Sequence, residues 1–166
     1  NSLTVDATSN YNTNPVFTQD LIQFLLKNRD FNPDRPETAL LQKILVSSAS
    51  LLTPAANDPY IEFIPLIKAG PLSSLMSAEV VYNRVSPEIL LRDFRRDDYA
   101  KFLAARIISR NQSKPFDLIV VADSDMVNEN FWARHIAVFD NTYYIPILDN
   151  ANFIFNALES LIGGDN

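Results

Sequence analysis

The sequence contains no cysteine, only three glycines and a single histidine among its 166 residues. The lack of cysteine excludes disulfides, thiolate nucleophiles and cysteine-ligated zinc. Phosphate-cradling loops and dinucleotide fingerprints need closely spaced glycines after a strand, and Gly70, Gly163 and Gly164 do not provide that pattern. With His135 as the one histidine, a histidine-rich metal site is impossible.

Positive charge and long apolar runs are also scarce. The chain has 14 Lys+Arg against 20 Asp+Glu, for a formal net charge of −6. Because nucleic-acid binding requires clustered positive charge, we predict no nucleic-acid partner. The longest uncharged stretch, 44–57, contains several serines and is shorter than the ~20 apolar residues that cross a bilayer. The sequence therefore predicts neither a membrane span nor a signal peptide.

What is present predicts one globular domain. The length suits a single domain, and the 47% hydrophobic content is typical of a chain with a packed core. Residues 1–16 are polar and rich in asparagine, which predicts a flexible lead-in. Residues 17–164 are then expected to form the domain.

Apolar periodicity predicts strands that alternate with helices. Strands are predicted over 61–69, 102–109 and 117–122, and helices over 18–28, 130–139 and 149–162, with a further helix starting at Ser86-Pro87-Glu88. The run 117–122 is almost entirely apolar and is typical of a strand buried on both faces. The alternation therefore predicts an α/β layered sandwich with a mostly parallel sheet.

Acidic residues directly follow the strand 117–122. In an open α/β sheet, ligands bind beyond the carboxyl ends of the strands. Paired carboxylates there suit Mg²⁺, Mn²⁺ or Ca²⁺. The alternative is that one aspartate caps the turn while the other is solvated or paired with an arginine. The candidate ligand-binding residues are Asp123, Ser124, Asp125, Asp149 and Asn150.

No catalytic residue is predicted. A serine-hydrolase triad of Ser124, His135 and Asp149 lacks a glycine-flanked elbow, and the two aspartates beside Ser124 oppose an oxyanion. His135 is instead predicted to be a structural residue on the helix 130–139. The charged residues at 92–98 sum to zero and predict a solvated helix end with weak ion pairs, or alternatively a docking patch.

The C-terminal motifs resemble a known family. The strand ends in Asp123-Ser124-Asp125 and is followed by Phe131-Trp132. The pattern then closes with Asp149-Asn150, Phe153, Asn156-Ala157-Leu158, Leu161 and Gly163. On these motifs the sequence resembles the C-terminal portion of the gliding-motility-type ABC transporter auxiliary domain. The resemblance covers about residues 35–165 and is specific over 117–164.

The resemblance implies a non-enzymatic, extracytoplasmic accessory domain of an ABC-2-type membrane transport complex, which acts through protein or polymer contacts. It implies permease and ATPase partners, and a place on the periplasmic face of a bacterial inner membrane with tethering segments outside this chain. It further implies a flavodoxin-like or glutamine-amidotransferase-like sandwich, here a partial domain, without a cofactor. The alternative drawn from the residues is a divalent-metal-dependent carbohydrate-binding or carbohydrate-active domain that uses the Asp-Ser-Asp turn.

Overall fold

The computed structural model describes residues 2–6, 21–54, 58–83 and 86–163. Strands and short helices alternate irregularly along these ranges. The strands are β1 (Ser2–Asp6), β2 (Gln23–Lys27), β3 (Lys43–Ser47), β4 (Ile61–Lys68), β5 (Ser73–Ser77), β6 (Phe102–Ser109), β7 (Phe116–Val121), β8 (Ala133–Val138) and β9 (Asn141–Pro146). The α-helices are α1 (Ala78–Tyr82), α2 (Pro87–Asp93), α3 (Glu129–Trp132) and α4 (Asn150–Gly163).

The strands of the described chain form four small sheets, and every pair is antiparallel. The sheets are β1–β5, β2–β3, β4–β6–β7 and β8–β9. The expected α/β sandwich with a mostly parallel, flavodoxin-like or glutamine-amidotransferase-like sheet is therefore wrong. The connection between β6 and β7 explains the error, because residues 110–115 form a short turn. A parallel pair needs a crossover of a dozen or more residues.

The sequence patterns identify several elements and miss others. The predicted strands 61–69, 102–109 and 117–122 and the helices at 87 and 149–162 are confirmed as β4, β6, β7, α2 and α4. The helix predicted over 18–28 is wrong, because residues 23–27 form β2, with Phe24 and Leu26 alternately buried; residues 18–20 lie outside the described residues. The helix predicted over 130–139 is also wrong, because α3 ends at Trp132 and β8 begins at Ala133.

Part of the predicted lead-in is ordered as a strand. Residues 2–6 form β1, while residue 1 and residues 7–16 lie outside the described residues. Thr4 fixes β1 to the segment after β3: its N–H donates to Ala49 O (2.7 Å) and its Oγ1 donates to Ser50 O (2.9 Å). The assignment of 17–164 to one domain remains a prediction.

The main core lies between the β2–β3 sheet, the β4–β6–β7 sheet and one side of α4. Its buried side chains include Phe24, Leu26, Ile44, Val46, Leu66, Ile67, Leu103, Ala104, Met126 and Phe153. Burial of each large apolar side chain contributes about 1.5–3 kcal/mol. Among the helices that the structure describes, none is long and apolar enough to cross a membrane.

An arginine is buried at the centre of the β4–β6–β7 sheet. Arg106 of β6 is 1% exposed, and its Nε and Nη2 donate to the two carboxylate oxygens of Asp117 on β7 (2.9 and 2.5 Å). Its Nη1 donates to the buried Glu37 Oε1 (3.0 Å) and to Ser160 Oγ of α4 (2.9 Å). The Arg106 guanidinium holds the pKa of Asp117 below its usual range. The network joins the sheet and the 35–38 loop through two ion pairs, and joins both to α4 through the hydrogen bonds of Ser160.

The charged segment 92–98 is only partly the solvated helix end that its composition predicts. The pairs Arg92–Asp93 and Arg96–Asp98 are exposed. Asp97 is different, because it pairs with the buried Lys101 and accepts a hydrogen bond from the β5 residue Leu75 (3.3 Å). The segment is thereby attached to the edge of β5.

We predict that Arg106→Leu lowers the free energy of unfolding by about 3–5 kcal/mol, because it removes the buried cation that Glu37 and Asp117 share and leaves Glu37 with the partly exposed Arg35. Arg110→Leu is the matched control, since Arg110 pairs with Glu62 at the surface. That change should cost less than about 1 kcal/mol. Urea unfolding followed by circular dichroism measures both. Equal losses would contradict the buried network.

Candidate functional site

The predicted ligand-binding residues lie along the outer edge of β3. β3 pairs with β2 on one side only. On the other side, the peptide N–H groups of Lys43, Leu45 and Ser47 point away from β2. Such groups in the interior need partners, which a neighbouring strand would normally provide.

The start of α4 provides two of these partners. Asp149 Oδ2 accepts hydrogen bonds from the N–H groups of Gln42 (2.8 Å) and Lys43 (3.0 Å). Asn150, which is fully buried, accepts from Leu45 N–H (3.0 Å) and donates to Leu45 O (2.7 Å). Its Nδ2 also donates to Met126 O (3.0 Å), in the turn after β7. Side chains therefore replace a strand here.

Asp123 closes the remaining part of the edge. Its Oδ2 accepts from Ser47 N–H (2.8 Å), and its Oδ1 accepts from Asp125 N–H (2.8 Å). Residues 43, 45 and 47 are thus bonded in turn to Asp149, Asn150 and Asp123. We call these three side chains the β3 junction. The structure brings them to one edge, and it uses their oxygens to bind peptide groups.

Ser124 and Asp125 lie outside the β3 junction. Ser124 is exposed, and Asp125 begins a short 3-10 helix over Asp125–Val127. The carboxylate of Asp125 has no hydrogen bond or ion pair with the described residues. Over the same residues, no group of three or more His, Asp or Glu side chains is placed to hold a metal ion. The geometry therefore gives no support to the metal-dependent carbohydrate alternative, and ligand binding by these residues remains a prediction.

The pKa values of the two carboxylates of the β3 junction are shifted in opposite directions. Burial raises the pKa of Asp123 to about 6, although the N–H groups of Ser47 and Asp125 act in the opposite direction. Burial also acts to raise the pKa of Asp149, but the N–H groups of Gln42 and Lys43 outweigh it and hold that pKa below its usual range.

The β8–β9 hairpin is an exposed apolar feature that the sequence patterns did not reveal. After Ala133, every residue of the β8–β9 hairpin is exposed. Ile136 lies opposite Tyr143, and Arg134 opposite Ile145, on one face. A two-stranded hairpin is at best marginally stable when it packs on nothing. Large exposed apolar patches are typical of interaction sites.

The tip of the hairpin is strained. Phe139 is 98% exposed and has a φ of 52°, a region that favours glycine. Its turn lacks the Asn-Gly or Asp-Gly signal of two-residue hairpins, which explains why a helix was predicted there. His135 is therefore not the helical structural residue that was expected: it lies on β8, exposed, with its ring 4.5 Å from that of Tyr144.

Comparison with known families decides the identity of the chain. A family model described as an ABC-type uncharacterized transport system, the ABC transporter auxiliary component, matches residues 2–157. The chain belongs to this family. The match to the auxiliary family begins well before the C-terminal motifs at 117–164. A search of curated proteins and a search of solved structures found no match to this auxiliary domain.

We predict that Asn150→Ala lowers the free energy of unfolding of the auxiliary domain by about 3 kcal/mol or more. The change leaves Leu45 N–H, Leu45 O and Met126 O without this partner, and each buried unsatisfied group costs about 1–3 kcal/mol. Asn152→Ala is the control on the same helix, because the exposed Asn152 makes one bond, to Asp149 Oδ1 (2.8 Å). Urea unfolding should show a loss of about 1 kcal/mol or less there. A similar loss in both variants would disprove the role of Asn150.

We also predict separate titrations for the two junction carboxylates. In the folded chain, Asp123 should titrate near pH 6 and Asp149 below the about 3.9 of an unfolded aspartate. Because the folded pKa of Asp123 is raised, its contribution to stability is fully present below about pH 4 and is lost as pH rises through 6. The contribution of Asp149 is present above about pH 4 and is lost as pH falls below that. Carbon-13 NMR of the carboxyl groups measures both midpoints, and a midpoint for Asp123 at or below that of Asp149 would refute the assignment.

Proposed function

We propose that this auxiliary domain is a non-enzymatic, extracytoplasmic component of a gliding-motility-type, ABC-2-type transport complex, and that it binds the permease through the β8–β9 hairpin. The family supports a place in an ABC-type transport system. The resemblance over 117–164 supports the gliding-motility type, the C-terminal portion of the domain and the periplasmic location. The ATPase is proposed as a further subunit of the same complex.

The observation that carries the proposal is the exposed hairpin itself. Phe139 lies at its tip. Tyr143 and Tyr144 present aromatic rings on its opposite faces, and each is more than half exposed. Aromatic residues are enriched among the side chains that dominate binding energy at protein interfaces. The strained tip is consistent with a contact residue held ready for a partner.

The absence of cysteine allows a direct test in cells. Asp140→Cys, next to Phe139, introduces the only thiol of the chain. A membrane-impermeant linker that joins a thiol to a nearby lysine should crosslink this variant to the permease in intact spheroplasts. Leu40→Cys is the control, because Leu40 is also highly exposed but lies between β2 and β3.

The outcomes separate the two parts of the proposal. A permease crosslink from position 140 and none from position 40 is the expected result. A crosslink that forms only with a membrane-permeant linker would overturn the periplasmic location and keep the contact. No permease crosslink with either linker would overturn the contact.

A further inference from the structure

β7 is an edge strand with an open outer side. Ala122 N–H donates to Leu103 O (2.8 Å), toward β6, and alternate residues of a strand face opposite ways. The peptide groups of Asp117, Ile119 and Val121 therefore point away from β6. Within the described ranges, these outward peptide groups have no hydrogen-bond partner.

Two other strand edges of the described chain are closed, wholly or in part, by specific contacts. The β3 junction covers the outer edge of β3. Phe31 and Asn32 cover part of β4, with a bridge from Phe31 to Ile67 and a bond from Asn32 N–H to Leu66 O (2.9 Å). Residues 116–121 contain no lysine, proline or bulge, and the charge of Asp117 is paired with Arg106 on the neighbouring strand, so β7 has few of the features that protect natural edge strands. Its edge is therefore suited to pairing with another strand.

We propose that β7 pairs with β7 of a second copy of this chain, antiparallel, about a twofold axis at Ile119. The outward peptide groups of Ile119 then bond to those of the second copy's Ile119. Those of Asp117 bond to the second copy's Val121. The result is a continuous six-stranded sheet in the order β4-β6-β7-β7-β6-β4. An isologous contact needs one self-complementary patch, and an antiparallel strand about a twofold axis provides it.

The charges along β7 favour a second copy of the chain as its partner. Asp117 is the one charged residue of the strand, and both of its carboxylate oxygens are bonded to Arg106 of its own chain. In the proposed register, Asp117 faces a valine and no two like charges meet. On the face opposite Arg106, Leu118 lies against the second copy's Val120, and the 49% exposed Leu118 gains an apolar neighbour.

Sedimentation equilibrium of the purified 166-residue chain tests the association. The weight-average mass should rise with concentration from 18.7 kDa toward twice that value. Amide hydrogen exchange at Ile119 and Val121 should slow over the same concentration range. A chain that stays at 18.7 kDa with unprotected amides at these positions would overturn the proposal and leave the edge to a strand of another protein.

Two matched double variants test the register. Leu118→Lys/Val120→Lys places lysine opposite lysine twice across the axis, and should weaken the dimer about tenfold or more. Leu118→Lys/Val120→Glu changes the same positions but places lysine opposite glutamate twice, and should retain the dimer. Circular dichroism establishes that both variants fold. Equal dimerisation of the two variants, at either strength, would overturn this register.

Discussion

The hydrogen bonds along the outer edge of β3 hold the domain together, because they connect parts of the chain that share no sheet. Asp149 and Asn150 belong to the start of α4, and Asp123 belongs to the turn after β7. Asn150 bonds to both β3 and that turn. α4 therefore cannot move away from β3 without also losing its hydrogen bond to Met126 O. The packing of Phe153 into the main core one turn later depends on this placement.

The predictable part of the structure is the part that local periodicity determines. The stripe Phe153, Ala157 and Leu161 is sufficient to find α4, and the apolar run after Asp117 is sufficient to find β7. Neither pattern gives the direction of the neighbouring strand. The mostly parallel sheet was predicted from the alternation of strands with helices, and that prediction is wrong. That direction is set by the short turn at 110–115. The hairpin was missed because a phenylalanine occupies a turn position that normally carries glycine or asparagine.

The candidate site was predictable as a group of residues, but its contacts were not. An aspartate after a strand and an Asp-Asn pair before a helix are visible locally, and the structure places three of the five candidates together. Their partners at residues 42–47 are backbone groups 76 to 107 positions away along the chain. A single sequence has no signal for a strand edge that is closed by side chains. Arg106 presents the same difficulty, because its partner Glu37 is 69 positions distant.

The distance between the two sides of the β3 junction also governs how the domain can fold during synthesis. Asn150 follows Leu45 by 105 residues. At about 5–20 residues per second, a ribosome needs roughly 5–20 s to make that interval. During this time β2 and β3 are already present while the peptide groups at 43, 45 and 47 lack their final partners. Closure of the outer edge of the β2–β3 sheet therefore waits for α4, and the nascent chain carries an open strand edge until that helix emerges.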